Sequence, residues 1–478
     1  MMKLRATSTR LLQLALCSYF PTLVRPVSTA TSSVVRLQAG KARLFKNAGH
    51  PLVFSGAVDK VLGDPEPGAI VDVVDGKDGL VGWGVFNPHS MYRVRLLATP
   101  EEPALIAHRD LRKLISHRLE AALKLRAALS LPSPETTAYR LINSEGDRLS
   151  GLTVDVFGGT AVAVTSAMWL EQRSDMVVEC LRALPGITEV VWRRSDGRLQ
   201  QDGWEVPNAK VEEVEEHQSL TDDSPTAHAS APAHASAPAP AAQPSPPPPL
   251  PVLIYESGVK YLVAPVLGQK SGFYCDQRDN RRQLAELCRD KRVLDLFCYS
   301  GGFSLSAARA GARRCVGVDS SGLALDLARR NAALNGFEAQ CEFIQADVDK
   351  FLRAVHLPGG GQEGDVAGAS DAREVDVVIC DPPKLAPSVK DLPRAIPKYR
   401  KFNGLAMRSL RPGGLLLSCT CSAAMTQSGG FVKMLHEAAW EQGRALTVLR
   451  VTGPAADHVI HPACPESSYL TAVLAFVL

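Results

Sequence analysis

Four acidic residues lie at or near the ends of apolar stretches in the C-terminal half of the chain: Asp295, Asp319, Asp347 and Asp381. The stretch that holds Asp295 breaks at the glycine pair Gly301-Gly302. A buried strand that breaks at glycines, opens a helix and returns through a second strand ending in an acid is how an α/β domain seats an adenosine ligand. The spacing therefore predicts such a ligand at the carboxyl ends of these strands.

The loop around the glycine pair separates two kinds of adenosine ligand. It reads Tyr299-Ser-Gly-Gly-Phe-Ser and lacks the G-x-G-x-x-G pattern of dinucleotide sites. Asp319 is placed to accept both ribose hydroxyls, and Asp295 suits an amino-acid ammonium better than a pyrophosphate. These features favour S-adenosylmethionine over NAD. Asp347 either receives the adenine amino group or caps a helix over residues 348–354.

A proline pair follows the fourth acid and stiffens the loop where a substrate would lie. Asp-Pro-Pro followed by an aromatic residue is typical of methylation at an exocyclic amino group, but here Lys384 follows Asp381-Pro-Pro. The next strand ends with Cys419 and Cys421. Methylation of cytosine at C5 needs a thiolate that adds to C6, which Cys421 can supply while Asp381 holds the N3 and N4 edge of the base. Core packing is the alternative for both cysteines, and more so for Cys419.

A basic cluster with an aromatic residue follows this loop. Arg394, Lys398, Arg400 and Lys401 surround Tyr399. The pattern fits a phosphate-and-stacking surface for single-stranded RNA. A solvated helix face explains it about as well.

Alternating strands and helices must position these residues. The predicted strands span residues 293–298, 314–319, 341–347, 375–381, 414–421, 446–453 and 469–478. Such alternation predicts an α/β domain with a mostly parallel sheet covered by helices on both faces.

The region before this domain has a different character. Four β-rich pieces between residues 36 and 99, about ten residues apart, predict a small barrel or sandwich. A helix over 104–130 and further strands and a helix up to residue 194 predict an α+β region. The Ala- and Pro-rich tract 205–251 predicts a disordered insertion, and residues 358–374 predict a second flexible loop.

The composition limits the remaining possibilities. At 478 residues the chain is too long to fold around one compact core, so several domains are expected. No apolar run is long enough to cross a bilayer. The first 33 residues carry four basic groups and no acid, so the rest of the chain is close to neutral and affinity for a nucleic acid must come from local patches. Because no acid precedes Asp59, residues 1–33 resemble a transit peptide for mitochondria, with chloroplasts as the alternative. The eleven cysteines contain no C-x-x-C pair, which indicates a reduced compartment and no metal site.

Several motifs together resemble the bacterial ribosomal RNA large-subunit methyltransferase I family, which forms 5-methylcytosine. They are residues 53–58, Tyr139-Arg-Leu-Ile, residues 145–155, 270–281, 295–303 and 381–384, and Asp457-His458-Val459. The resemblance implies a class I, Rossmann-like methyltransferase domain over 252–478, an N-terminal β-barrel PUA domain that binds RNA over 36–103, and an α+β middle domain over 104–204. It also implies ribosomal RNA as the partner and a homodimer.

The resemblance also implies the site residues. The family's nucleophile falls on Cys421, in Thr-Cys-Ser, with Asp381 and Lys384 beside it. The cofactor-binding residues implied are Gln277, Arg278, Asp295, Phe297, Ser300, Gly301, Gly302, Asp319 and Asp347. Two alternatives stay open: a methyltransferase that acts on another RNA base or a transfer RNA, and an RNA-binding ribosome-assembly factor without catalysis.

Overall fold

The structure is a computed structural model that describes residues 33–205, 251–266, 271–356 and 372–478. The transit peptide expected up to Ser33 and most of the insertion expected over 205–251 lie outside the described residues. Most of the loop expected over 358–374 lies outside them as well.

The N-terminal region forms a six-stranded sheet in the order β2-β6-β5-β4-β1-β3. Its elements are β1 (Val34–Leu37), α1 (Ala42–Lys46), β2 (Leu52–Phe54), β3 (Val58–Leu62), β4 (Ile70–Val74), β5 (Leu80–Phe86) and β6 (Tyr92–Ala98). Only a short 3-10 turn, Ser55–Ala57, joins β2 to β3, although these strands stand at opposite ends of the order. The sheet must therefore curl on itself. Sequence reasoning missed β3 because four of its five residues are exposed and show no apolar alternation.

The middle region packs helices against a four-stranded sheet in the order β10-β9-β8-β7. Its elements are α2 (Pro103–Ala107), α3 (Leu111–Ala128), β7 (Ala138–Asn143), β8 (Leu152–Phe157), β9 (Thr160–Thr165), α4 (Met168–Glu171), α5 (Ser174–Arg182), β10 (Glu189–Arg194) and α6 (Asp196–Gln201). The single helix expected over 104–130 is two helices. Asp110 has extended backbone angles and its side chain caps α3 by accepting the Lys113 N–H, which ends the first helix before it.

A hairpin leads into the C-terminal α/β domain. The strands are β11 (Val252–Glu256), β12 (Val259–Val263), β13 (Arg292–Leu296), β14 (Arg314–Asp319), β15 (Cys341–Gln345), β16 (Val375–Cys380), β17 (Leu410–Thr420), β18 (Leu446–Thr452) and β19 (Thr471–Val477). The helices are α7 (Arg278–Ala285), α8 (Gly302–Arg309), α9 (Gly322–Asn335), α10 (Val348–His356), α11 (Leu392–Ser409), α12 (Ala423–Ser428) and α13 (Phe431–Glu441).

The seven strands of the large sheet run in the order β15-β14-β13-β16-β17-β19-β18. All neighbouring pairs are parallel except those that involve β19. The chain moves outward from β13 through β14 to β15 and then returns to the other side of β13 as β16. A crevice opens at such a reversal, outside the carboxyl ends of the strands, and ligands bind there in this class of fold.

Alternating side chains divide the core of this sheet into two layers. Val293 and Ile379 belong to one apolar cluster, whereas Leu294 and Val378 belong to the cluster on the opposite face. Helices cover both faces, which explains why these strands are apolar throughout. Among the described residues, no helix is both long enough and apolar enough to span a membrane.

Candidate active site

The loop after β13 holds three alternate residues in the left-handed region. Phe297, Tyr299 and Gly301 have φ values of +63°, +49° and +82°. A non-glycine residue in this region costs about 1 kcal/mol or more, so its surroundings must hold it there. The Tyr299 N–H donates to Asp319 Oδ2 at 2.9 Å, and the Gly301 N–H donates to the Cys298 carbonyl at 2.8 Å. These bonds keep the loop tightly turned between β13 and α8.

Asp295 is the most enclosed carboxylate of the crevice, with 1% of its surface exposed. Its Oδ2 accepts hydrogen bonds from the Ser304 N–H at 3.0 Å and the Ser304 hydroxyl at 2.7 Å. Its Oδ1 is buried without a hydrogen-bond partner among the described residues. Burial is the main reason that the pKa of Asp295 is raised to about 7; the nearby charges of Asp381 and Asp319 act in the same direction, and Ser304 acts against them. The unpartnered oxygen is suited to a cationic donor such as an ammonium group.

Two further acids lie at the neighbouring strand ends. Asp319 ends β14, and its Oδ1 accepts the Ser321 N–H at 2.9 Å. Asp347 is exposed, and its Oδ1 accepts the Lys350 N–H at 3.0 Å at the start of α10. The helix-capping alternative for Asp347 is therefore realised. Because a carboxylate accepts several hydrogen bonds, an adenine contact by the same side chain stays a prediction.

Neither residue of the glycine pair could carry a side chain without displacing a neighbour. A Cβ on Gly301 would lie 3.0 Å from the ring of Phe343, and a Cβ on Gly302 would lie 3.2 Å from the side chain of Arg281. The pair thus lets α8 begin close to the strand end, where its backbone N–H groups face the crevice.

Phe297 and Ser300 form part of the same turn. The ring of Phe297 packs edge-on against Phe402, with centroids 5.3 Å apart. Ser300 is buried, and its carbonyl accepts a hydrogen bond from Asn331 Nδ2 at 3.4 Å. Both residues lie at the crevice, and their contacts with a cofactor stay predictions.

Gln277 and Arg278 are adjacent in the chain but reach different partners. Gln277 Nε2 donates to Asp381 Oδ2 at 2.9 Å, which brings Gln277 to the carboxyl end of β16. Arg278 donates from Nη1 and Nη2 to the two carboxylate oxygens of Asp457 at 2.9 and 2.7 Å. Contact between Arg278 and a cofactor would require the guanidinium to leave this buried ion pair. From Ser271 to Arg281 the chain is largely buried and lies at the junction between the middle and C-terminal domains.

Asp381 and Cys421 follow adjacent parallel strands. Cys380, the last residue of β16, is level with Ser418 of β17, so the two strand ends lie side by side. Asp381 and Cys421 are both half-buried. They are therefore partly exposed to the same crevice. They lie on the side of β13 opposite β14, the strand that ends at Asp319.

Cys419 differs from Cys421 in its surroundings. It is fully buried, and burial raises the pKa of its thiol well above the ordinary range, with the charge of Asp381 acting in the same direction. A protonated and enclosed thiol is a poor nucleophile. Cys419 is accordingly a core residue of the sheet.

Tyr399 reaches from α11 to the strand end beside Cys421. Its hydroxyl shares a hydrogen bond of 2.7 Å with Thr420 Oγ1, and its ring packs edge-on against Phe431. Burial raises the pKa of Tyr399 to about 12, and the neighbouring Cys421 adds to this rise. The interpretation of Tyr399 as a base-stacking residue is wrong, because its ring is completely enclosed. No sequence signal distinguished this tyrosine from an exposed one.

The basic residues near Tyr399 are divided between two environments. Arg400 pairs with Glu437 and Glu441, and Lys401 pairs with Asp349 at 2.7 Å. The other basic side chains, Lys384, Arg394 and Lys398, are exposed. Apart from the paired Lys401, these three residues and Lys390 are the exposed basic side chains of this segment.

Known protein families match two separate regions of the chain. A PUA-like domain family matches residues 35–99, and a methyltransferase domain family matches residues 287–453. Ribosomal RNA large subunit methyltransferase I of Photobacterium profundum is 34% identical over 431 residues, which cover 90% of this chain and 95% of the relative. The protein of the same name from Shewanella denitrificans is 33% identical over 446 residues, covering 93% of this chain and 99% of the relative.

Solved structures show the same fold. A candidate SAM-dependent methyltransferase from Streptococcus mutans aligns with a TM-score of 0.68 at 20% identity, covering 93% of this chain and 99% of that chain. A second structure with the same score and coverage holds a candidate methyltransferase complexed with SAH. The predicted α/β fold with a Rossmann-like methyltransferase domain and an N-terminal PUA-like domain is confirmed.

The comparisons also correct one prediction. The mitochondrial location, with the chloroplast as its alternative, is wrong, because the matching relatives are bacterial proteins and bacteria contain neither organelle. The signal for that prediction was an N-terminal segment without acidic residues and with scattered arginine, serine and threonine, and this composition is not specific to transit peptides.

Proposed function

Because the chain belongs to the ribosomal RNA large subunit methyltransferase I family, we propose that it methylates C5 of a cytosine in large-subunit ribosomal RNA with Cys421 as the nucleophile. The coarser activity follows from the family: the chain is an S-adenosylmethionine-dependent methyltransferase of large-subunit ribosomal RNA. The choice of atom and the covalent step rest on the arrangement of residues in the crevice.

The acids of the crevice fit S-adenosylmethionine, which supplies an electrophilic methyl group on a sulfonium. The unpartnered Oδ1 of Asp295 would accept a hydrogen bond from the methionine ammonium. Asp319, held by two backbone N–H groups, would accept the ribose hydroxyls. The negative potential of Asp295, Asp319 and Asp381 favours a ligand with positive charge over one without.

The other side of the crevice fits a pyrimidine. C5 of cytosine is a weak nucleophile until a thiolate adds to C6, which gives C5 the character of an enamine carbon. The Cys421 sulfur would form this bond, C5 would then take the methyl group, and removal of the C5 proton by a base or water would expel the thiolate again. Asp381 would hold the N3 and N4 edge, with Gln277 orienting its carboxylate.

The observation that carries this proposal is the contrast between the two cysteines at the end of β17. Cys419 is buried in the core, whereas Cys421 is half-buried and follows the end of β17, the strand that neighbours the one before Asp381. A thiol that only packs the core is expected to be fully buried, not to lie between the core and the crevice. A covalent nucleophile requires such a position.

The test compares Cys421→Ala with Cys419→Ala. We expect Cys421→Ala to lower methyl transfer to large-subunit ribosomal RNA by roughly 10³-fold or more, because the covalent step is lost. Its affinity for S-adenosylmethionine should be unchanged in calorimetry. Cys419→Ala should keep most of the activity. RNA that carries 5-fluorocytosine should form a denaturant-resistant adduct with the unaltered chain but not with Cys421→Ala.

Other outcomes would identify the alternatives. Full activity of Cys421→Ala, or a methyl group mapped to another base atom or to transfer RNA, would contradict the C5 proposal. Binding of ribosomal RNA with no methyl transfer by the unaltered chain would indicate an assembly factor instead.

A further inference from the structure

A second cluster of reactive side chains lies far from the crevice, where the N-terminal sheet meets the loop between β18 and β19. His50 comes from the turn before β2, and Cys464 and Glu466 come from the turn before β19. The imidazole, thiol and carboxylate ligand atoms all lie within 4.8 Å of one another. The proposed function uses none of these residues.

The two separations that involve Glu466 match those between ligand atoms around one metal ion. Glu466 Oε2 lies 3.3 Å from Cys464 Sγ and 3.7 Å from His50 Nε2. Bonds of about 2.0–2.3 Å to a tetrahedral zinc ion give edges of roughly 3.3–3.8 Å between ligand atoms. Glu466 is therefore at ligand spacing from both Cys464 and His50, and all three ligand atoms lie close enough together to share one ion.

The histidine is held in the orientation that a ligand needs. Its Nδ1 lies 3.1 Å from the Leu52 carbonyl, and in the tautomer that leaves Nε2 free to bind a metal the Nδ1–H donates to this carbonyl. The ring also packs against Phe54, with centroids 5.2 Å apart. A ligating histidine commonly has its second nitrogen fixed in this way, and Nε2 is left pointing at Glu466.

The turn that supplies the other two ligands is equally well ordered. The Cys464 N–H donates to the His461 carbonyl at 2.9 Å, and the Ser467 N–H donates to the Cys464 carbonyl at 3.0 Å. His50 and Cys464 are buried, whereas the Glu466 side chain is 41% exposed. An ion therefore has a preformed site and an entry path at the carboxylate.

We propose that His50, Cys464 and Glu466 bind a zinc ion that joins the N-terminal sheet to the C-terminal domain. A mixed nitrogen, sulfur and oxygen ligand set suits zinc rather than magnesium or calcium, which prefer oxygen alone. A water molecule would complete the tetrahedron. The absence of a C-x-x-C pair concealed this site in the sequence, since its ligands stand more than 400 residues apart.

The test is a cobalt titration of the full chain after treatment with a chelator. We expect one Co²⁺ per chain, a thiolate-to-cobalt charge-transfer band, and loss of the band when Zn²⁺ is added. Cys464→Ser should abolish the band and weaken binding at least roughly 10-fold. His436→Ala, which removes an exposed imidazole outside the cluster, should leave both unchanged.

A second variant protects the test against misfolding. His50→Gln removes the imidazole ligand on the opposite side of the site. It should weaken Co²⁺ binding and shift the thiolate-to-cobalt charge-transfer band. A saturable band that persists in Cys464→Ser, or no saturable binding by the unaltered chain, would overturn the proposal. The measured quantity is bound metal, so the result is independent of methyl transfer.

Discussion

At the scale of the residue, the crevice brings several carboxylates close together, and this does not stabilise the ligand-free protein. Asp295 is buried with one oxygen unpartnered, and Asp319 and Asp381 lie near enough to raise its pKa. Such an arrangement destabilises the ligand-free protein and is offset when a cation binds. With the ammonium contact proposed for Asp295, cofactor binding would be coupled to the release of a proton.

The first prediction concerns the pH dependence of cofactor affinity. The pKa of Asp295 is raised to about 7 in the free chain, and an ammonium group beside it favours the carboxylate. Binding of S-adenosylmethionine should therefore release a proton below about pH 7. Its affinity should rise with pH up to that value, by at most about tenfold per unit, and then level off. Calorimetry in buffers of different ionisation enthalpy counts the released protons.

The matched control separates Asp295 from general charge effects. Asp295→Asn should bind more weakly and lose the pH dependence, whereas Asp326→Asn, an exposed substitution on α9, should retain it. Equal proton release by the unaltered chain and Asp295→Asn would refute the coupling. The free chain should also lose stability as pH rises from about 4 towards 7, because the folded pKa lies above the unfolded value of 3.8.

At the scale of the element, one aromatic ring supports the turn between β13 and α8. Phe343 of β15 lies across β14 at Gly317 and reaches Gly301. A Cβ on Gly317 would lie 2.7 Å from this ring and 2.9 Å from Cys298 Sγ. Gly317, in the middle of β14, thus makes room for the Phe343 ring. This ring supports the turn between β13 and α8, called here the cofactor loop.

The second prediction is that Gly317→Ala destabilises the protein by about 1–3 kcal/mol, because the added methyl must displace Phe343 or Cys298. It should also weaken S-adenosylmethionine binding, since both neighbours belong to the cofactor loop or support it. Urea denaturation and calorimetry measure the two effects. The control is Gly197→Ala in α6, where a Cβ would meet nothing within 4 Å. That change should be neutral or slightly stabilising, since alanine favours a helix by up to about 1 kcal/mol. Similar losses in the two variants would contradict the prediction.

At the scale of the whole molecule, the loop after β18 joins the middle and C-terminal domains. Asp457 is completely buried and accepts hydrogen bonds from Arg278 of α7 and from the Arg140 N–H of β7 at 2.8 Å. Arg126 of α3 donates to the Asp457 carbonyl at 2.6 Å. Burial alone would raise the pKa of Asp457, but His458 and Arg278 outweigh it and hold this pKa well below its usual range. Through its carboxylate and its backbone carbonyl, Asp457 thus connects three elements of two domains.

The third prediction is that Asp457→Asn destabilises the chain by roughly 3–5 kcal/mol, because the buried Arg278 would lose the carboxylate that both its Nη atoms contact and keep only Asp279, 3.8 Å from its Nε. The variant should unfold at a lower temperature than the unaltered chain. Backbone amides at the junction between the two domains should exchange their hydrogens faster. Since the folded pKa of Asp457 is lowered, its contribution to stability is present above about pH 4 and is lost as pH falls. Asp326→Asn, which breaks an exposed pair with Arg329, should cost less than about 1 kcal/mol. A comparable loss in both variants would show that the buried pair has no special role.

The sequence by itself determined the α/β domain, its seven strands and the acids at their ends. Apolar periodicity and residues such as Gly301 and Asp319 are local properties, so they are legible without a fold. It also carried the family resemblance that the relatives confirm.

The tertiary structure decided which residues meet. The left-handed Phe297, the enclosed Tyr399 and the separate surroundings of Cys419 and Cys421 depend on neighbours from other elements. The same holds for the pairing of Arg278 with Asp457, 179 residues away, and for the cluster around His50. Contacts between distant segments leave no periodic trace in the chain, because packing rather than local preference selects them.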